Sequence, residues 1–312
     1  MFVWWRARSD GYFTLMGVGE PWSSTLGPLL PALSAGLSAA MALSLVDAAS
    51  GTIAGIVAAL AVMLLPGFMP LHRTSLTGPP LTAVTLTMIG VMVHAPRFSI
   101  AYGILAATAA VFIAPAGVGL VLAAVAWAWW VEGARPGDRL TRLALASLPL
   151  LLASILTLKF GSAWPTTLDF GWHGDLDEGL HAAGVVFGDQ LAPTLTGAIR
   201  WFAVADLTLL LVALGVVTWR RIEASPRADT VARRLLPALL ITALGLIVGL
   251  VVTWLALPLT PLPTLEDLFP LLGILVVATV ASIATLWPRW PKWGKVVVLI
   301  VVLGWAQAAL RG

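Results

Sequence analysis

Long apolar segments, separated by short polar ones, recur along the whole chain. Ten can be marked, with boundaries good to a few residues, at about 25–46, 51–71, 80–95, 99–115, 117–131, 143–158, 202–219, 235–257, 268–287 and 295–310. Most approach the roughly 20 residues that a helix needs to cross a bilayer. They are rich in Ala and Leu and do not alternate apolar with polar positions, which excludes strands. The pattern predicts an all-α, polytopic transmembrane helix bundle of about ten spans, with residues 1–312 in a single domain.

One boundary in this pattern leaves two alternatives open. Only Ala116 separates the segments 99–115 and 117–131. They form either a tight hairpin at Pro115 or one broken helix, since proline interrupts helical hydrogen bonding.

The composition supports lipid as the main solvent of this chain. Hydrophobic residues make up 59% and charged residues 11%, with a mean hydropathy of +0.96, whereas soluble proteins are roughly 25% charged. The absence of cysteine excludes disulfides, thiolate nucleophiles and cysteine-ligated metals. No phosphate-binding glycine loop is present, so nucleotide hydrolysis is not expected.

The basic residues predict the orientation of the bundle. With ten alternating spans, twelve of the 18 basic residues fall on one face, which we assign to the cytoplasm. They are Arg97, Arg135, Arg139, Arg142, Arg220, Arg221, Arg227, Arg233, Arg234, Arg289, Lys292 and Lys295. The N-terminal segment 1–24 and the loop 159–201 are then outside. This predicts a multi-pass protein with its N-terminus outside. The many Ala, Leu, Val and Trp residues and the high pI suggest a GC-rich bacterial genome, and hence the bacterial inner membrane. Because cytoplasmic loops account for the pI of about 9.8, no nucleic-acid partner is expected.

The outward N-terminal segment carries the first candidate chemistry. It contains Arg6, Arg8, Asp10, Tyr12 and Glu20. A carboxylate at an outer membrane surface is suited to act as a general base toward an incoming hydroxyl. The alternative is a solvated N-terminal tail.

A second candidate is the pair His72–Arg73, which precedes the third apolar segment. The guanidinium fork matches the oxygens of a lipid-linked phosphate. The alternative is an arginine that extends to the interface to reach water.

The longest polar loop offers a third candidate, a divalent metal site. Its potential ligands are His173, Asp175, Asp177, Glu178 and His181. Their spacing fits no closed coordination site, so a solvated acidic loop is the preferred interpretation and no cofactor is assigned. Glu266 and Asp267 are interpreted as acids at a helix N-terminus, where the helix dipole favours them, and His94 as an interfacial residue.

The order of features in residues 8–130 resembles the membrane-embedded GT-C glycosyltransferases, specifically the aminoarabinose transferase and protein mannosyltransferase branch. Arg8-Ser9-Asp10-Gly11-Tyr12 falls at the family's outward acidic motif, and Pro28-Leu29-Leu30-Pro31 resembles its proline-containing helix start. The run from Leu65 to Leu81, which contains His72-Arg73, resembles its arginine segment. The charge distribution puts both motifs on the outer face, where this family acts.

The chain departs from the family pattern at several positions. Gly11 and Gly78 stand where the family has acids, and no basic residue occurs around Ala114–Pro115. The family also has a membrane helix before its acidic motif. The resemblance therefore implies an N-terminally truncated or degenerate member.

The resemblance implies transfer of a sugar from a polyprenyl-phosphate donor to an acceptor at the outer face. Asp10 would be the base, and Arg73 with His72 would hold the departing phosphate. Tyr12 and Glu20 would contact substrate, and Glu20 or the 173–181 residues would supply any second acid or metal ligand. The alternatives are a non-catalytic membrane subunit with a degenerate transferase fold, and a transporter of a lipid or small hydrophobic solute. Protein partners are not predicted.

Overall fold

The computed structural model describes residues 20–63, 78–110, 115–130, 136–160, 230–256, 265–287, 292 and 296. This part of the chain is all-helical, without strands. Its eight α-helices are α1 (Glu20–Ser50), α2 (Thr52–Met63), α3 (Gly78–His94), α4 (Ser99–Thr108), α5 (Val118–Trp130), α6 (Pro136–Phe160), α7 (Thr230–Ala256) and α8 (Leu265–Leu286). A 3-10 turn, Pro115–Gly117, precedes α5. The predicted spans 202–219 and 295–310 lie outside the described residues, except for Val296.

Two of these helices are long and apolar enough to cross a bilayer. They contain the segments Ala32–Ser50 in α1 and Arg233–Val252 in α7. Five more apolar stretches, in α2, α3, α4, α5 and α8, have 10–17 residues. The all-helical prediction is confirmed for the described residues, while the number of spans stays a prediction.

Helix α3 lies at the centre of the packing. It contacts α1, α4, α7 and α8, and 13 of its 17 residues are buried. Its buried threonines fit this apolar interior because each hydroxyl donates to a carbonyl of its own helix. Thr82 donates to the Gly78 carbonyl at 2.8 Å and Thr85 to the Leu81 carbonyl at 2.7 Å.

Gly51 makes the tight turn between α1 and α2. Its φ of +96° lies in the left-handed region that glycine tolerates best. The Gly51 amide donates to the Asp47 carbonyl at 2.8 Å, and the Thr52 hydroxyl donates to the Asp47 carboxylate at 2.8 Å. These bonds close the hairpin and hold the start of α2 against the end of α1.

Helices α4 and α5 form a hairpin, which settles the alternative left open at Pro115. The two helices pack against each other. Gly117 lies so close to the end of α4 that an added Cβ would overlap the backbone of Ala109 and Ala110. One broken helix that continued in the same direction could not bring these residues together.

Two helix starts differ from the prediction. Helix α6 begins at Pro136, seven residues before the predicted apolar segment 143–158 and within the basic stretch that precedes it. Proline is favoured in the first helical turn and Asp138 complements the helix dipole there. Helix α1 begins at Glu20, inside the predicted N-terminal segment and ahead of Pro28, where the family resemblance implied a start. Here too the helix starts with a proline, Pro21, and an acidic residue, Glu20, which complements the helix dipole.

Helices α3 to α7 share one end at which arginines collect. Arg97 follows α3, Arg139 and Arg142 lie in the first turns of α6, and Arg233 and Arg234 lie in the first turn of α7. Helix α5 runs antiparallel to α7, because Gly119 packs between Gly245 and Gly249 while Ala116 lies beside Gly249. We call this the arginine end, and the other end of the bundle the opposite end.

Candidate functional site

Of the residues predicted to form or flank the outward site, the structure describes only Glu20 and Gly78. Glu20 is the first residue of α1, and Gly78 is a buried residue at the start of α3. Asp10, Tyr12, His72 and Arg73 lie outside the described residues. Their placement on one outer face stays a prediction.

Helices α1 and α3 pack against each other. In the sequence, α1 follows the segment with Asp10 and Tyr12, and α3 follows the segment with His72 and Arg73. An added Cβ on Gly90 of α3 would overlap the methyl group of Met41 in α1. Met41 and Gly90 both lie in the second halves of their helices. Helices α1 and α3 are therefore closely packed along these halves.

The predicted metal ligands at 173–181 also lie outside the described residues. Within the described ranges, no group of three or more histidine or acidic residues could hold a metal ion.

Two minor predictions fall on described residues. Glu266 and Asp267 lie in the first turn of α8, as predicted for acids at a helix N-terminus. His94 is the last residue of α3 and its side chain is exposed, as expected for an interfacial position.

A set of polar atoms that the sequence analysis did not identify lies toward the arginine end. Five buried side-chain atoms have no hydrogen-bond partner there: Ser99 Oγ, Tyr102 Oη, Trp127 Nε1, Arg139 Nε and Arg142 Nη1. The side chains of Ser99, Tyr102 and Trp127 are at most 1% exposed, whereas both arginine side chains are half-buried. Buried polar groups are nearly always paired in folded proteins, so a set of five unpaired ones requires an explanation.

Helix packing puts three of these residues at one level. Gly103 of α4 packs directly on the Ala146 backbone of α6. Helices α4 and α6 both start at the arginine end and so run in the same direction. Ser99 and Arg142 each lie one turn before this contact and are therefore neighbours. The phenol of Tyr102 is within electrostatic range of the Arg142 guanidinium and lies beside the Ser99 hydroxyl, although the two hydroxyls are outside hydrogen-bonding geometry.

The α4–α5 hairpin brings Trp127 to the same level. The hairpin closes where Gly117 meets Ala109. In α4, Ser99 precedes Ala109, and in α5, Trp127 follows Gly117, by the same number of residues. Ser99 and Trp127 therefore lie equally far from the turn. Helices α4, α5 and α6 all pack against one another, and Ser99, Trp127 and Arg142 lie at the same level of these three helices.

A weak signal for this junction exists in the sequence. Ser99 and Tyr102, and likewise Arg139 and Arg142, are three residues apart, which puts each pair on one helix face. Nothing in the sequence indicates that these two faces meet, because that depends on the packing of Gly103 against Ala146.

Comparison with protein-family models, curated proteins and solved structures finds no match to this chain. The resemblance to GT-C glycosyltransferases therefore rests on the sequence motifs alone.

Proposed function

We propose that this chain is a bacterial inner-membrane protein of about ten spans that transfers a sugar from a polyprenyl-phosphate donor to an acceptor at the outer face. The observation that carries the proposal is the close packing of α1 against α3, with Met41 in contact with Gly90. Asp10 precedes α1 and Arg73 precedes α3 in the sequence. The two candidate residues therefore precede the two helices of one packed pair.

The exposed faces of the described helices support a lipid environment. In α6, the apolar side chains of Leu145, Leu148, Leu152 and Ile155 are exposed at helical spacing. Helix α7 likewise exposes Leu244, Ile247, Val248 and Val251, among others. Soluble proteins rarely expose contiguous apolar patches of this kind, whereas lipid-facing helices require them.

The proposed reaction needs one base and one anion holder. The acceptor hydroxyl oxygen attacks the anomeric carbon of the sugar, and the bond from that carbon to the phosphate oxygen breaks. Asp10 takes the hydroxyl proton. Arg73, with His72, holds the departing polyprenyl phosphate, whose charge increases as the bond breaks. Tyr12 and Glu20 contribute to substrate binding.

The test is donor turnover by the full chain reconstituted in vesicles that contain a radiolabelled polyprenyl-phosphate sugar. Asp10→Asn should lower the transfer rate by about 100-fold or more, because it removes the base, and should leave donor binding intact. Arg73→Gln should weaken both donor binding and turnover. Arg6→Gln, a nearby change with no assigned role, should be silent. Full activity of the Asp10→Asn variant would rule out the proposed base.

A second candidate is a non-catalytic membrane subunit with a degenerate transferase fold. The observation that favours it is Gly78, which is buried at the start of α3 where the family resemblance calls for an acid. This candidate predicts that the wild-type chain turns over no donor and co-purifies with a stable membrane partner. Turnover by the purified chain alone would exclude it.

A further inference from the structure

The five unpaired atoms at the α4–α5–α6 junction are those of hydrogen-bond donors. Arginine and tryptophan side chains can donate hydrogen bonds but cannot accept them, and the hydroxyls of Ser99 and Tyr102 are free to donate. Arg139, Arg142 and Trp127 therefore cannot satisfy one another. The hydroxyl oxygens of Ser99 and Tyr102 can also accept, but neither accepts a hydrogen bond here. Two oxygens are too few for the N–H groups of two guanidiniums and an indole. A buried donor without an acceptor destabilises the folded protein, so an acceptor from outside this set would stabilise the junction.

The charge at the junction favours an anionic acceptor. Arg139 and Arg142 bring two positive charges onto one face of α6. Asp138, the adjacent acidic residue, is exposed and leaves Arg139 Nε and Arg142 Nη1 without a partner. Two guanidinium groups beside neutral donors complement a phosphate group in both charge and geometry.

Access to the junction is from the arginine end. The side chains of Arg139 and Arg142 are half-buried, and the residues Gly137 and Thr141 in the same turns are exposed. Deeper in the bundle, Ser99, Tyr102 and Trp127 are closed off from solvent. The approach to the buried donors is therefore past the two arginine side chains in the first turns of α6.

We propose that Ser99, Tyr102, Trp127, Arg139 and Arg142 form a binding site for a phosphate group at the arginine end. The phosphate belongs either to the headgroup of an anionic lipid or to a soluble phosphate compound, since the same donors serve both. In the predicted orientation the site faces the cytoplasmic leaflet, away from Asp10 and Arg73. It is independent of the proposed sugar transfer, and either can fail without the other.

The test is thermal unfolding of the full chain, with one arm for each source of phosphate. In neutral detergent, inorganic phosphate is titrated at constant ionic strength, with chloride as the reference. In nanodiscs, phosphatidylglycerol is titrated into phosphatidylcholine. Saturable stabilisation by inorganic phosphate indicates a soluble ligand, and stabilisation by phosphatidylglycerol alone indicates a lipid headgroup. Either result supports the site.

Variants separate this site from general charge attraction. Arg142→Gln should weaken the apparent affinity for the stabilising ligand by about tenfold or more, because it removes a charge-assisted donor. Arg97→Gln is the matched control. It removes the same charge from an exposed side chain at the same end and should change the affinity by less than about twofold.

Tyr102→Phe removes one hydrogen-bond donor and keeps the ring. This variant tests the site if Arg142→Gln fails to fold. It should weaken affinity several-fold. The proposal is overturned if neither phosphate source stabilises the wild-type chain, which would indicate that water alone occupies the junction. It is also overturned if Arg97→Gln lowers the affinity as much as Arg142→Gln.

Discussion

At the residue scale, glycines decide how closely the helices approach. Gly119 of α5 lies between Gly245 and Gly249 of α7, and an added Cβ on Gly119 would lie 2.7 Å from Leu246 Cα. Gly245 and Gly249 form a small-xxx-small pair, the spacing that allows close helix contact in membranes. By contrast, Gly36 in α1 has nothing within 4 Å of its would-be Cβ.

We therefore expect Gly119→Ala to destabilise the fold and Gly36→Ala to leave it nearly unchanged. Gly119→Ala forces the backbones of α5 and α7 apart and should cost about 1–3 kcal/mol. Gly36→Ala, the same chemical change in open space, should lie within about 0.5 kcal/mol of wild type. Chemical unfolding in detergent measures both. Equal effects of the two substitutions would show that the α5–α7 crossing is not this close.

At the element scale, both faces of a helix are apolar, so composition does not show which face packs on the bundle. Helix α7 illustrates this. Leu246 is fully buried, while Leu244, two residues earlier in the same helix, is 61% exposed. In a soluble protein the exposed position would be polar and the periodicity would reveal the buried face. Here only the packing against α3 and α5 distinguishes the two leucines.

Leu246→Ala and Leu244→Ala should accordingly differ in their effect on stability. Leu246→Ala leaves a cavity in the core and should lower the free energy of unfolding by about 2–5 kcal/mol. Leu244→Ala should change it by less than about 0.5 kcal/mol. The pair is matched in residue type, helix and substitution, so unfolding of the two variants under one condition isolates the effect of burial. A larger loss for Leu244→Ala would mean that this face of α7 is covered.

At the scale of the whole molecule, the separation of charges sets the expected orientation. The described arginines collect where α3 ends and where α4, α6 and α7 begin. In the predicted topology that end faces the cytoplasm, by the preference of Lys and Arg for cytoplasmic loops. The segment that contains His72 and Arg73 is then outside.

Because the chain has no cysteine, single-cysteine variants report the orientation directly. Phe98→Cys introduces a thiol at the arginine end, where the Phe98 side chain is 64% exposed. Ser75→Cys introduces one in the segment predicted to be outside. A membrane-impermeant maleimide applied to intact cells should label Ser75→Cys, and should label Phe98→Cys only after the membrane is opened. The reverse result would invert the topology and exclude sugar transfer at the outer face by Asp10 and Arg73.

The sequence by itself determined the helical class of the described part, because long runs of Ala, Leu and Val without alternation favour helices. It also predicted the helix ends near Gly51 and His94, and the acids at the start of α8. It left open the hairpin at Pro115 and misplaced the starts of α1 and α6, where Glu20-Pro21 and Pro136 extend the helices into polar segments. The tertiary structure alone decided which leucines are buried and that Ser99, Trp127 and Arg142 share one level. These features depend on the contacts of Gly103 with Ala146 and of Gly117 with Ala109, and uniformly apolar helices carry no sequence pattern that fixes such contacts.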